Sequence, residues 1–151
     1  MKKKILYALI GVLVVIQFLQ SSKNIAEGIS ENDITKVYQM PENVVHTLQK
    51  KCYDCHSHNT EYPWYYNIQP LGWWMNFHIK EGKEELNFSD FKNYDAKRAN
   101  HKLEEIAEVA NEGSMPIKSY QWMHGDSKLT PGEVEAITSW VKSLGITLEK
   151  N

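Results

Sequence analysis

The chain has 151 residues, with 17 Lys and Arg against 19 Asp and Glu and only two Cys. That length fits one domain of ordinary size, and 42% hydrophobic with 24% charged residues excludes a disordered chain. A net charge of −2 gives no electrostatic footprint for nucleic acid, and two cysteines exclude a multi-disulfide scaffold or a four-cysteine zinc site.

Lys2, Lys3 and Lys4 precede an apolar stretch from Ile5 to Leu19. This reads as a basic region followed by the hydrophobic core of an export signal. Its 15 residues fall short of the ~20 of an ordinary spanning helix. No small-x-small cleavage site follows Leu19, so residues 1–21 read as an uncleaved signal anchor rather than a removed peptide. The lysines stay in the cytoplasm, and the rest of the chain lies outside it. With those lysines set aside, 14 basic and 19 acidic residues remain, a net of −5. Residues 22–40 are polar and weakly patterned and read as a linker or loosely packed arm. Residues 41–151 read as the folded domain.

Pro41 suits the first position of a helix whose apolar face is Val44, Leu48, Cys52 and Cys55. An irregular segment from Ser57 to Leu71 carries Pro63 and Pro70. A second helix is predicted from Trp73 to Glu85, with Trp73, Trp74, Phe77 and His78 near its start. Asn87 to Asn93 is a connector, and Asn87 and Ser89 suit its turn. Ala99, Leu103, Ile106 and Ala110 predict a helix over Ala96 to Asn111 that stops at Gly113. Gly113-Ser114-Met115-Pro116 is then a loop. Thr130-Pro131-Gly132-Glu133 is a capping box that opens the last helix, with Val134, Ile137, Val141 and Leu144 on one face and Gly145 after it. No strand pattern appears, so the fold is predicted to be all-α.

Cys52-Tyr53-Asp54-Cys55-His56 is a C-x-x-C-H sequence, the signature of covalent c-type haem attachment. Two thiols three residues apart lie on one side of a helical turn, where both can add to the two vinyl groups on one haem edge. The adjacent His56 then supplies the proximal imidazole. Three other uses of the cysteines compete. A thioredoxin-type pair lacks a βαβ setting, and a zinc site with His56 and His58 would crowd four ligands into seven residues. A plain structural disulfide does not explain the adjacent histidine.

Met115 is the candidate distal ligand, because a thioether in a loop stiffened by Pro116 suits ferrous iron. The bland use of Met115 is core packing. His78 is the rival ligand; its bland use is a hydrogen bond to a propionate or to backbone. His46, His58, His101 and His124 read as surface residues.

An N-terminal helix ending in C-x-x-C-H, a Met-Pro loop and a capped last helix together resemble a class I c-type cytochrome. A closer resemblance is to the small bacterial haem-binding domain family. It is carried by Cys52–His56, Thr60-Glu61-Tyr62-Pro63-Trp64-Tyr65, Ile68-Gln69-Pro70, Trp73-Trp74, His78, Gly82, Leu86-Asn87-Phe88-Ser89 and Met115-Pro116. These span about Val44 to Leu144. The resemblance implies an all-α, class I cytochrome c-like domain around one covalent haem c, with the last helix packed across the first. It also implies that a proline carbonyl downstream of His56 accepts the N–H of its other ring nitrogen, with Pro70 the candidate and Pro63 second. Trp64, Trp73 and Trp74 are candidates to pack on the porphyrin or reach its propionates, with an ordinary aromatic core as the alternative.

The function expected is electron transfer with no bond chemistry on a substrate. The domain would sit on the periplasmic side of the bacterial cytoplasmic membrane, or free in the periplasm if the signal is removed. Its expected partners are respiratory or periplasmic redox proteins. The alternative is a haem sensor or peroxidase-like enzyme with an open sixth position and His78 as its acid–base group.

Overall fold

The computed structural model describes residues 1–146 and 148, and among them the regular structure is entirely helical. The α-helices are α1 (Lys2–Ile16), α2 (Ile34–Val37), α3 (Glu42–Lys51), α4 (Tyr53–His56), α5 (Leu71–Glu85), α6 (Ala96–Glu112), α7 (Lys118–Met123) and α8 (Pro131–Ser143). Two 3₁₀ segments, Trp64–Asn67 and Phe88–Asn93, flank α5.

The core is built where α3, α6 and α8 meet, and α8 packs on both of the others. Val44 and Leu48 from α3, Leu103, Ile106 and Ala107 from α6, and Ile137, Trp140 and Val141 from α8 are all buried there. The last helix therefore does pack across the first helix of the domain. Trp140 buries its ring and donates Nε1–H to the Gln39 carbonyl at 3.1 Å. Burying an indole with its one donor satisfied is what makes it usable in a core.

The helix ends follow local chemistry. Asp95 accepts from the Arg98 N–H at the start of α6, and Gly113 ends that helix at φ 66°, a left-handed conformation that favours glycine. The Thr130–Glu133 capping box forms on α8, and Glu133 also takes Lys51 from the end of α3 at 2.8 Å. That ion pair staples the end of the first helix to the start of the last.

Residues 22–40, read from the sequence as a linker or loosely packed arm, are mostly exposed but are pinned to the domain around Asp33–Tyr38. Asp33 caps α2 and is buried, Ile34 is wholly buried in the core, and Tyr38 packs edge-on against Phe91. Helix α1 is different: nearly every side chain is exposed. Among the described residues, no helix is long and apolar enough to cross a membrane.

Candidate functional site

The helix predicted to run through both cysteines breaks at Cys52. Its φ and ψ of −124° and −37° leave the helical range, and Tyr53–His56 forms a separate turn. The Cys52 carbonyl accepts from the N–H groups of both Cys55 (3.2 Å) and His56 (3.0 Å), so the motif folds around its own first residue. The break splits the pair: Cys52 packs against the core, while Cys55 lines a surface groove. Both thiols are free. Burial, with the neighbouring Cys55 thiol, pushes Cys52 up to about 12. Burial, with Asp54, pushes Cys55 up to about 11. Protonated thiols are poor nucleophiles, which speaks against a reactive redox pair in the folded protein.

His56 packs edge-on to Phe88 and lies 3.0 Å from the Leu86 carbonyl through Nδ1. Donation of Nδ1–H to that carbonyl fixes the ring and leaves the lone pair on Nε2, the arrangement a metal-ligating histidine needs. Burial pulls its pKa below the usual imidazole value, and the carbonyls of Leu86 and Gly82 oppose that shift. The acceptor is thus Leu86 and not Pro70. The Pro70 carbonyl is already used, accepting from Trp74 N in the first turn of α5. Pro63, the second candidate, accepts from Tyr66 N.

Helix α5 forms the wall facing the motif. Gly82 sits where a Cβ would lie 2.7 Å from the Cys55 carbonyl, so only a residue without a side chain lets the two elements approach this closely. The loop after His56 is held by Asp54: its backbone carbonyl accepts from Thr60 Oγ1, and its carboxylate accepts from Glu61 N. Tyr120 of α7 donates to the same carboxylate at 2.6 Å and stacks on His124. Tyr53 stacks on Phe88 with ring centroids 5.0 Å apart and donates to buried Asp33 at 3.0 Å.

The groove is lined by Cys55, Tyr65, Trp74, His78, Ile117, Tyr120, Met123 and His124 among others. His78 is half-buried, with Trp74 edge-on at 4.6 Å and Phe77 at 5.6 Å. Trp74, Phe77 and Met123 stay 42%, 55% and 53% exposed, a large uncovered apolar rim.

The remaining candidates divide. Met115 lies in the loop before α7, is 38% exposed and does not line the groove. Trp64 is 77% exposed and also lies outside it. Trp73 gives its indole N–H to the Leu19 carbonyl, so that donor is taken. His46 and His101 are exposed, as expected. His58 and His124 are not plain surface residues: His58 pairs with Asp90 at 3.0 Å, and His124 lines the groove. Gly82 and Leu86 carry the family resemblance and Asp54 lies in the motif, but the roles of these three and of Tyr120 were not read from the sequence. Of these roles only that of Gly82 left a signal, as a lone glycine inside a helical pattern.

The donor set suits a haem. Cys55 lines an apolar groove, and the next residue, His56, is an imidazole oriented by a carbonyl; Cys52 has a free thiol but, like His56, does not line the groove. The haem-binding domain family matches residues 11–143, from within α1 to the last residue of α8. The chain belongs to that family. Searches of curated proteins and of solved structures return no match. In this haem-binding domain the family match includes residues 22–40, of which Asp33 and Ile34 are buried.

Proposed function

We propose that this haem-binding domain is a monohaem c-type cytochrome, an electron carrier rather than an enzyme, of class I cytochrome c-like build. Cys52 and Cys55 would hold the haem through thioethers, and His56 would ligate its iron through Nε2. Bound there, the haem supplies one-electron chemistry. The chain's own residues do the rest. Leu86 orients the imidazole, Gly82 lets α5 close on the attachment turn, and the groove side chains keep water off the ring. The observation that carries this reading is His56 held by Nδ1 on the Leu86 carbonyl, directly after a cysteine that lines an apolar groove.

The basic start and the exposed apolar α1 support a signal anchor that holds the domain on the periplasmic side of the cytoplasmic membrane. Its electron partners would be respiratory or periplasmic proteins. The test is extraction with acid acetone after expression in a host that matures such proteins. The pigment should stay with the polypeptide, and a Cys52→Ser, Cys55→Ser double variant should release it. Colourless protein, or pigment lost from the wild type, overturns the proposal.

In this reading Met115 would supply the second iron ligand. A second reading is an open or His78-occupied sixth position, as in a sensor or peroxidase-like enzyme. It is favoured by His78 lining the groove with Cys55 while Met115 does not. Carbon monoxide binding separates the two. Under the first, the wild type excludes carbon monoxide and Met115→Ala admits it; under the second, the wild type binds it and Met115→Ala changes nothing.

A further inference from the structure

The two longest charge-free stretches of the chain are Ile5–Ser22 and Tyr62–Ile79, and neither holds an Asp, Glu, Lys or Arg. They meet in the structure. Gln17 brackets Gln69 with its side-chain amide, donating to the Gln69 carbonyl at 3.1 Å and accepting from the Gln69 N–H at 2.9 Å. Gln20 accepts from the Gln69 side chain at 3.0 Å and donates to the Asn67 carbonyl at 3.2 Å. Trp73 donates to the Leu19 carbonyl at 2.8 Å, and Tyr66 to Ser21 at 3.1 Å. The polar groups where α1 ends thus bind the domain, and the apolar side chains beside them are left outside. Phe18 is 83% exposed, Leu19 58%, Trp64 77%, Ile68 42% and Leu71 43%.

An apolar patch rimmed by satisfied polar groups marks a contact surface. Its position at the end of α1 selects the contact. The apolar part of α1, Ile5–Ile16, spans ~18 Å, against ~30 Å for a bilayer's hydrocarbon core. A short span is relieved by thinning the bilayer or by apolar surface that continues past the helix end. Trp64, Ile68 and Leu71 supply that surface, and a tryptophan with a polar tip suits the headgroup boundary.

We infer that the edge formed by Phe18, Leu19, Trp64, Ile68 and Leu71 is seated in the lipid headgroup region, so that the domain is docked on the membrane rather than tethered to it. The inference rests on the anchor reading. It puts the groove, which begins at Trp74 on the same helix as Leu71, close to the membrane surface. The domain then meets partners that share the membrane.

The test uses the full-length holoprotein in vesicles of phosphatidylcholine and phosphatidylglycerol. Nitroxide labels are attached singly at Trp64→Cys, Ile68→Cys, Val12→Cys and, as an exposed control, Lys97→Cys. Oxygen and a water-soluble nickel chelate then report depth. Labels at 64 and 68 should show an oxygen-to-nickel accessibility ratio several-fold above that at 97. If 64 and 68 match 97 while 12 reads as embedded, docking is overturned and the anchor stands; the edge is then free for a protein partner. If 12 itself reads as aqueous, the anchor and the docking fall together.

Discussion

Gly82→Ala isolates the close approach between α5 and the attachment turn. Neither Gly82 nor the control Gly132 has the positive φ that would make any side chain strained. In a helix interior the change from Gly to Ala gains about 1 kcal/mol from propensity alone. At Gly82 the new methyl would lie 2.7 Å from the Cys55 carbonyl oxygen and 3.2 Å from its Cβ. Overpacking of this kind costs roughly 1–3 kcal/mol, and the upper end applies because backbone blocks the methyl rather than a mobile side-chain tip. The net is a loss of about 2 kcal/mol, or a fall in Tm of about 4–8 °C for a domain of this size. At Gly132, in the first turn of α8, nothing lies within 4 Å, so Gly132→Ala should leave stability unchanged or raise it by up to about 1 kcal/mol. Thermal and urea unfolding of the two holoprotein variants, followed by far-ultraviolet circular dichroism, decides the matter. A Gly82→Ala protein as stable as Gly132→Ala would refute the packing of α5 on the motif.

Tyr120→Phe removes the donor to the Asp54 carboxylate and should destabilise the fold by about 1–2 kcal/mol in urea, with the haem still covalently bound. Burial alone would raise the Glu133 pKa, but the Lys51 ammonium and the Thr130 hydrogen bonds hold it below the usual carboxylate value. A depressed folded pKa means its stabilisation is complete above the ordinary carboxylate range and is lost as pH falls through the folded value. Glu133→Gln should therefore cost about 1 kcal/mol at neutral pH and much less in acid, measured by urea unfolding at both. Removing residues 1–16 should leave a cooperatively folded domain, whereas removing 1–40 should abolish cooperative unfolding, because it strips Ile34 from the core and Asp33 from Tyr53.

The parts legible in the sequence are those whose cause is local. The faces of α6 and α8 follow from spacing, and their ends from Asp95, Gly113 and the Thr130–Glu133 box. The haem-binding family is legible in the residue types at and around Cys52–His56. What hid were contacts made by backbone and by distant residues. The Leu86 carbonyl carries no sequence signature, because every residue has one, and it lies thirty residues from His56. The helix break at Cys52 was masked by an apolar spacing that continues through it. Helix α7, only six residues long, is too short for periodicity to show. Residues 22–40 look like linker by composition, yet buried Ile34 and the capping carboxylate of Asp33 pin the segment to the domain.

The same segment changes what an N-terminal anchor would mean. A flexible tether of about twenty residues would let a domain wander over ~25 Å. Here Asn24 donates to the Ser57 carbonyl at 2.8 Å and to Thr60 at 3.0 Å, and it accepts from Lys83 beside Gly82. One residue thus touches the loop that follows His56 and the helix that faces it. Further back, Gln17 and Gln20 grip the turn that leads into α5. Both attachments act on the elements that position Cys55 and His56, so the Cys52–His56 turn takes its orientation from α1 through hydrogen bonds rather than through free chain. Under the proposed anchor and electron-carrier reading, such a build would give up reach and gain a fixed distance to the membrane. Such a carrier would exchange electrons at a rate that responds to breaking the clamp, as in Gln17→Ala with Gln20→Ala, more than to dilution of a soluble partner.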